Sequence, residues 1–144
     1  MPDERSPDLI ALTRAFVAAW NRRDEAAIAA ALHEEVVCTG IPLPPVIGRS
    51  ATMTFLQPFL QAEAIDWEII AIASSGNIVM TERVDRFRFT GQDWTAVRAA
   101  GIFEFHPDNR IIAWRDYFDI AELTAALPAQ EDKASALPMV YNDL

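Results

Sequence analysis

Cysteine is nearly absent. The 144-residue chain has one, Cys38, so no disulfide can form within it. Histidine is nearly as scarce, with two, and no Cys/His spacing of a zinc site occurs. Positive charge is in deficit: 12 Lys and Arg stand against 21 Asp and Glu, a formal charge of −9. Nucleic acid is bound by basic surfaces, so no nucleic-acid partner is expected. No apolar run approaches the roughly 18–20 residues of a membrane helix, so no membrane partner is expected. The opening MPDERSPDLIALTRAF has neither the basic nor the apolar region of a signal peptide, and a cytoplasmic protein is the expectation. Nor is there a G-x-S-x-G elbow, a G-x-G-x-x-G turn or a P-loop. A covalent, Asp-nucleophile hydrolase on a doubly wound sheet therefore has no support.

Apolar residues are plentiful, at 51%, enough for the core of one domain. Ser6-Pro7-Asp8 opens a helix carrying Leu9, Thr13, Phe16 and Trp20 at helical spacing, with Ser6 as its cap. A second helix starts near Asp24, and His33 at its end complements the dipole. Val36 to Thr39 reads as a short strand. IPLPPVIG follows as a proline-rich loop without long-range regularity. Ser50 is expected to cap a third helix, which Pro58 kinks or shortens. From Asp66 the period changes to two. Asp66–Ala73, Ile78–Phe89, Trp94–Phe105 and Ile111–Tyr117 read as strands joined by SSGN, TGQD and HPDNR turns. Such short turns imply an antiparallel meander. A last helix is capped by Asp119, with Glu122 three residues on. The fold class is α+β: a strongly curved antiparallel sheet packed by helices around a deep apolar pocket. Residues 1–127 form one domain, and 128–144 read as an extended tail.

The stretch TERVDRFRF raises a specific problem. Phe87 and Phe89 alternate with Arg86 and Arg88, so odd positions face inward. Arg83 and Asp85 share that parity. In the last strand Asp116 shares the parity of Trp114 and Phe118. The strand between presents Val97, Ala99, Gly101, Phe103 and Phe105, whose small members leave room. Three ionisable groups thus converge on one interior, where lone charges are costly and must pair. They form either a structural Asp–Arg–Asp network or an acid/base pair bridged by arginine. In the second case the two carboxylates are inequivalent, one protonated and one ionised.

At TERVD and WRDYFD, with PLPP-x-x-GR upstream, the sequence resembles the limonene-1,2-epoxide hydrolases, within the fold family of nuclear transport factor 2, ketosteroid isomerase and SnoaL-type polyketide cyclases. The similarity runs from about Leu9 to Leu127. It implies a catalytic triad with no metal, no cofactor and no covalent intermediate. By matched position Asp116 is the base that deprotonates water, Asp85 the acid that protonates the epoxide oxygen, and Arg83 the bridge. The implied pocket wall is Val17, Trp20, Phe59, Phe87, Val97, Ala99 and Phe118. The family places a tyrosine and an asparagine, two residues apart before the PLPP loop, to position the water. Here those positions hold Cys38 and Gly40, a weak hydrogen-bonding group and none.

The expected function is addition of water to a small hydrophobic epoxide, giving a vicinal diol. Alternatives are an epoxide-opening cyclase whose nucleophile is a substrate hydroxyl, a ketosteroid-isomerase-like enzyme, and a hydrophobic-ligand binder without turnover. Outward-facing Ile70, Ile72, Val84, Ala100, Ile102 and Tyr117 form an apolar patch that points to a homodimer through the outer sheet face.

Overall fold

The computed structural model describes residues 6–128. The expected tail from 129 onward, and the side chain of Ser6, lie outside the described residues. Helix α1 spans Ser6–Asn21. It buries Leu9, Thr13, Phe16, Val17 and Trp20 along one face. The Thr13 hydroxyl is satisfied inside this face by donating to the Leu9 carbonyl, at 2.8 Å. Helix α2 (Glu25–Ala31) is capped by Asp24, whose carboxylate accepts the Ala27 N–H.

Strand β1 covers Leu32–Ile41, longer than the expected Val36–Thr39. It begins where α2 stops, so His33 lies in this strand and not at a helix end. The extra length comes from pairing on both edges. Val37 and Cys38 pair with β2 (Val46–Ile47), a short strand inside the loop expected to be irregular. The other edge pairs with β6. Helix α3 spans Arg49–Leu60 and starts from Gly48, whose φ of 92° suits glycine. No side chain caps it. Ser50 falls inside its first turn, correcting its expected role. Pro58 sits two residues before the helix ends.

Strands β3 (Ala64–Ser75), β4 (Ile78–Arg88), β5 (Trp94–Phe105) and β6 (Ile111–Phe118) form the expected antiparallel meander. Helix α4 (Ile120–Ala126) follows, with Asp119 accepting the Ala121 N–H. The curved, unclosed sheet has the order β2-β1-β6-β5-β4-β3. The α+β class holds, with one difference: β1 runs parallel to β6. A parallel neighbour needs a long crossover, and here α3 and β3–β5 supply it.

The core lies between the sheet and the helices. Trp20 stacks on Trp67 at 4.4 Å between ring centroids. Phe16 meets Phe103 and Trp114 edge-on. Such pairs add about 0.5–1.5 kcal/mol each beyond area burial. A smaller cluster of Val97, Leu123, Ala126 and Leu127 fastens α4 to β5.

In β3 the register slips between Ile69 and Ala71. Ile69 still faces Arg83, but Ala71 faces Glu82 and Ile72 faces Thr81. One extra residue reverses the faces beyond it. Ile72 therefore packs against the core, and its expected outward place is corrected. Ile70 and Tyr117 remain exposed. Among the described residues, no helix is long and apolar enough to cross a membrane.

Asp24→Ala removes the α2 cap and is expected to lower stability by about 0.5–2 kcal/mol, read from urea unfolding midpoints.

Candidate active site

Strand register brings the site together. Thr81 of β4 faces Gly101 of β5, Gly101 faces Asp116 of β6, and Asp116 faces Gly40 of β1. These four residues form one row across four strands. Arg83 and Asp85 lie one and two inward positions further along β4. The Arg83 side chain reaches back across the sheet to Thr81 and Asp116, directly above Gly101. A β-carbon on Gly101 would meet Arg83 Nη1 and lie 2.5 Å from Asp116 Oδ1. Only glycine leaves space for the guanidinium and the carboxylate to meet there.

Arg83 is wholly withdrawn from solvent, while the Asp85 side chain is 7% exposed and that of Asp116 18%. Arg83 Nε donates to Asp85 Oδ1 at 3.0 Å and Nη2 to Asp85 Oδ2 at 2.9 Å. Nη2 also donates to Asp116 Oδ2 at 2.9 Å. Nη1 donates to the Thr81 hydroxyl at 3.0 Å. The other Asp116 oxygen accepts the Trp114 indole N–H at 2.9 Å. Arg83 Cζ lies 4.8 Å from the centre of the Trp67 ring and 5.8 Å from that of Phe103. Planarity, five donors and weak hydration suit arginine to this buried bridge.

Burial and charge act together on the buried groups. Burial pushes the Asp85 carboxyl up to about 6; the charge and hydrogen bonds of Arg83 oppose the rise, and the Asp116 charge adds to it. Burial alone would pull Arg83 down, but the charges of Asp116 and Asp85 hold it above the ordinary arginine value. Burial, with a smaller contribution from Asp116, pushes the Cys38 thiol up to about 12. It therefore stays protonated at neutral pH.

Above the triad is a cavity of about 80 Å³. Asp85, Asp116, Cys38, Gly40, Trp20, Phe59, Phe87, Val97, Ala99 and Phe118 line it. Val17 does not; it is buried in the main hydrophobic core, which corrects its expected place in the wall. Thr39, Phe55, Leu56, Trp67, Trp114 and Leu123 complete the wall. The volume is below the roughly 300–1,000 Å³ of ordinary ligand clefts. Aromatic rings occupy much of the interior, and the pocket is smaller than the deep one expected. At Gly40 a β-carbon would lie 3.1 Å from Phe118 Cε1. The ring thus covers the place where a larger residue would project.

Thr81, Trp114 and Trp67 hold the triad and were not among the expected site residues. Thr81 shares the inward parity of Arg83, a signal available in the sequence. Gly101 was legible only as a small residue leaving room. A second cluster lies at the far end of β1, where the rings of His33 and His106 are 4.5 Å apart and Asp108 is adjacent. Ligand atoms of these three lie within 4.8 Å of one another. The Asp108 carboxylate is already held by the Arg110 guanidinium, at 2.7 Å.

A curved α+β sheet carries a buried Asp–Arg–Asp bridge under an apolar cavity, on a nuclear transport factor 2-like fold. A solved structure of a nuclear transport factor 2-like protein of unknown function from Burkholderia pseudomallei matches 84% of this chain and 98% of its own (TM-score 0.72, 18% identity), which supports the fold alone. The limonene-1,2-epoxide hydrolase catalytic domain family matches residues 7–129, and the chain belongs to that family. It is 30% identical over 113 residues to epoxide hydrolase EphG of Mycobacterium tuberculosis, covering 78% of this chain and 74% of that protein. The solved structure of an M. tuberculosis LEH-like epoxide hydrolase superposes with a TM-score of 0.73 at 28% identity, over 85% of this chain and 91% of that one.

Gly101→Ala is expected to displace Arg83. Epoxide turnover should fall at least about tenfold, and stability by about 1–3 kcal/mol from overpacking. Steady-state kinetics and urea unfolding on the same preparation check both.

Proposed function

We propose that this protein opens a small hydrophobic epoxide with water in one step, giving a vicinal diol. One observation carries the reading: a single buried guanidinium joins two inequivalent carboxylates at the floor of an apolar cavity. Asp116, the more exposed of the two, takes a proton from water. The water oxygen forms a bond to one epoxide carbon as the C–O bond of the ring breaks. Asp85, holding a proton, gives it to the departing oxygen. Arg83 keeps both carboxylates in place and transfers no group. The proton gained by Asp116 then returns to Asp85. Push and pull together open a strained ring without an enzyme nucleophile or a cofactor.

Neither Cys38 nor Gly40 supplies a strong partner for the water. The thiol is protonated and weakly hydrogen-bonding, and Gly40 is covered by Phe118. Asp116 and neighbouring backbone groups are left to hold it. The same two residues favour a second reading, in which a substrate hydroxyl replaces water and the product is a cyclic ether of unchanged mass. Turnover in ¹⁸O-labelled water separates these: one labelled oxygen in a diol supports hydrolysis, and an unlabelled isomer supports cyclisation. We also propose a homodimer through the outer sheet face, around Ile70, Val84, Ala100 and Tyr117. Light scattering at micromolar concentration should give twice the chain mass, and a single-chain mass excludes it.

Asp85→Asn, Asp116→Asn and Arg83→Gln should each lower kcat/KM by about 10²–10⁴-fold, the usual worth of acid–base roles. Circular dichroism should show the fold retained. Some loss of stability is expected on either reading, but a purely structural network would keep its rate.

The pH profile follows from Asp85. Its folded value of about 6 lies above the ordinary 3.8, so the proton stays on in the folded state where an exposed carboxyl has lost it. The acid form is the working form. kcat/KM for a non-ionising epoxide should therefore fall as pH rises through about 6. A rate that climbs through that window contradicts Asp85 as the acid.

A further inference from the structure

We infer that Thr81 is a positioning residue for the reaction: its hydroxyl fixes the Arg83 guanidinium so that one nitrogen serves both carboxylates. The inference rests on the acid/base reading of the triad and adds to it a residue that takes no part in the proton transfers.

Thr81 is buried. Its hydroxyl donates to the Gly101 carbonyl at 3.2 Å. With its hydrogen turned to β5, the oxygen lone pairs face Arg83, and Nη1 donates into them at 3.0 Å. Among the described residues, the other polar contacts of the guanidinium are to carboxylates: Nε and Nη2 to Asp85, and Nη2 to Asp116. Thr81 is therefore the neutral anchor of a charged bridge. It also ties the guanidinium to the Gly101 backbone carbonyl. Without that anchor Nη1 is a buried donor lacking an acceptor, which is costly. The Asp116 carboxylate in the same row is a charged acceptor beside the guanidinium, and turning toward it loosens the two-point hold on Asp85.

The consequence falls on Asp85. The charged groups that act on it are Arg83 on its own strand and Asp116 on β6. Cys38 on β1 lines the same cavity and stays neutral. The facing residues are Trp67 on β3 and Val97 on β5. A weaker hold by Arg83 leaves burial less opposed, and the carboxyl moves further up.

The test compares Thr81→Val, which keeps the shape and removes the hydroxyl, with Thr81→Ser, which keeps the hydroxyl. The Asp85 side-chain carboxyl is titrated by ¹³C NMR in wild type and both variants, with no substrate present. The expected result is a midpoint higher by about half a pH unit or more in Thr81→Val, and unchanged in Thr81→Ser. Equal midpoints in all three, a lower midpoint in Thr81→Val, or equal displacement in both variants overturns the inference. Should Thr81→Val fail to fold, Thr81→Ala is read in its place by the same criteria.

Kinetics on an epoxide add a second readout. Thr81→Val should lose about tenfold or more in kcat with little change in KM, and Thr81→Ser should restore it. Because the titration needs no turnover, the two ideas part cleanly. A displaced midpoint in a protein that opens no epoxide supports the role of Thr81 and refutes the proposed reaction. An undisplaced midpoint in an active hydrolase does the reverse.

Discussion

The Arg83 guanidinium, withdrawn from solvent, holds Asp85 by two hydrogen bonds and Asp116 by a third. Much of the sheet is arranged to allow this. Gly101 gives up its side chain so that the guanidinium and Asp116 can meet above it. The Trp67 and Phe103 rings pack around the cation, and Trp114 spends its indole N–H on Asp116. Removing one member of such a buried set typically costs about 3–5 kcal/mol, because the others are left charged and unpaired. An interior of aromatic and aliphatic side chains would hold the fold at least as well. The charges are better explained by what they do to each other.

Two carboxylates and one arginine leave the cluster with a surplus negative charge when both acids are ionised. In a wet site solvent would absorb it. Here burial and the neighbouring Asp116 charge work against ionisation of Asp85 and raise it to about 6. On the proposed reading the two carboxylates, joined through one guanidinium, are the proton donor and the acceptor that a reaction gaining and losing a proton requires. The small cavity and the Phe118 ring over Gly40 carry the same economy of space to the nucleophile's side, where little room is left for a side chain to hold water.

Much of this was legible in the sequence, for physical reasons. Strand parity is rigid, so Phe87 and Phe89 fixed the direction of Arg83 and Asp85, and Trp114 that of Asp116. Asp24 and Asp119 announced two helix starts because a cap needs a short acceptor there. Other features depended on partners far along the chain. The length of β1 follows from β6, some seventy-five residues later, and no local pattern in LHEEVVCTGI records a parallel neighbour. The slip at Ile70 reverses parity without any glycine or proline to mark it, which is why Ile72 turned out to face the core. His33 sits in a strand because β-pairing overrode the alanine-rich helix before it. The cavity's size, and the exclusion of Val17 from its wall, depend on how tryptophan and phenylalanine rings pack, which sequence periodicity does not specify.

The proposed chemistry needs a proton on Asp85, which burial favours and Arg83 opposes. Infrared difference spectroscopy reads this directly. One pH unit below the Asp85 midpoint, wild type should show the C=O stretch of a buried protonated carboxylic acid. That band should vanish in Asp85→Asn and persist in Asp116→Asn. Loss of the band in Asp116→Asn with its survival in Asp85→Asn, or no such band in wild type, would contradict the account.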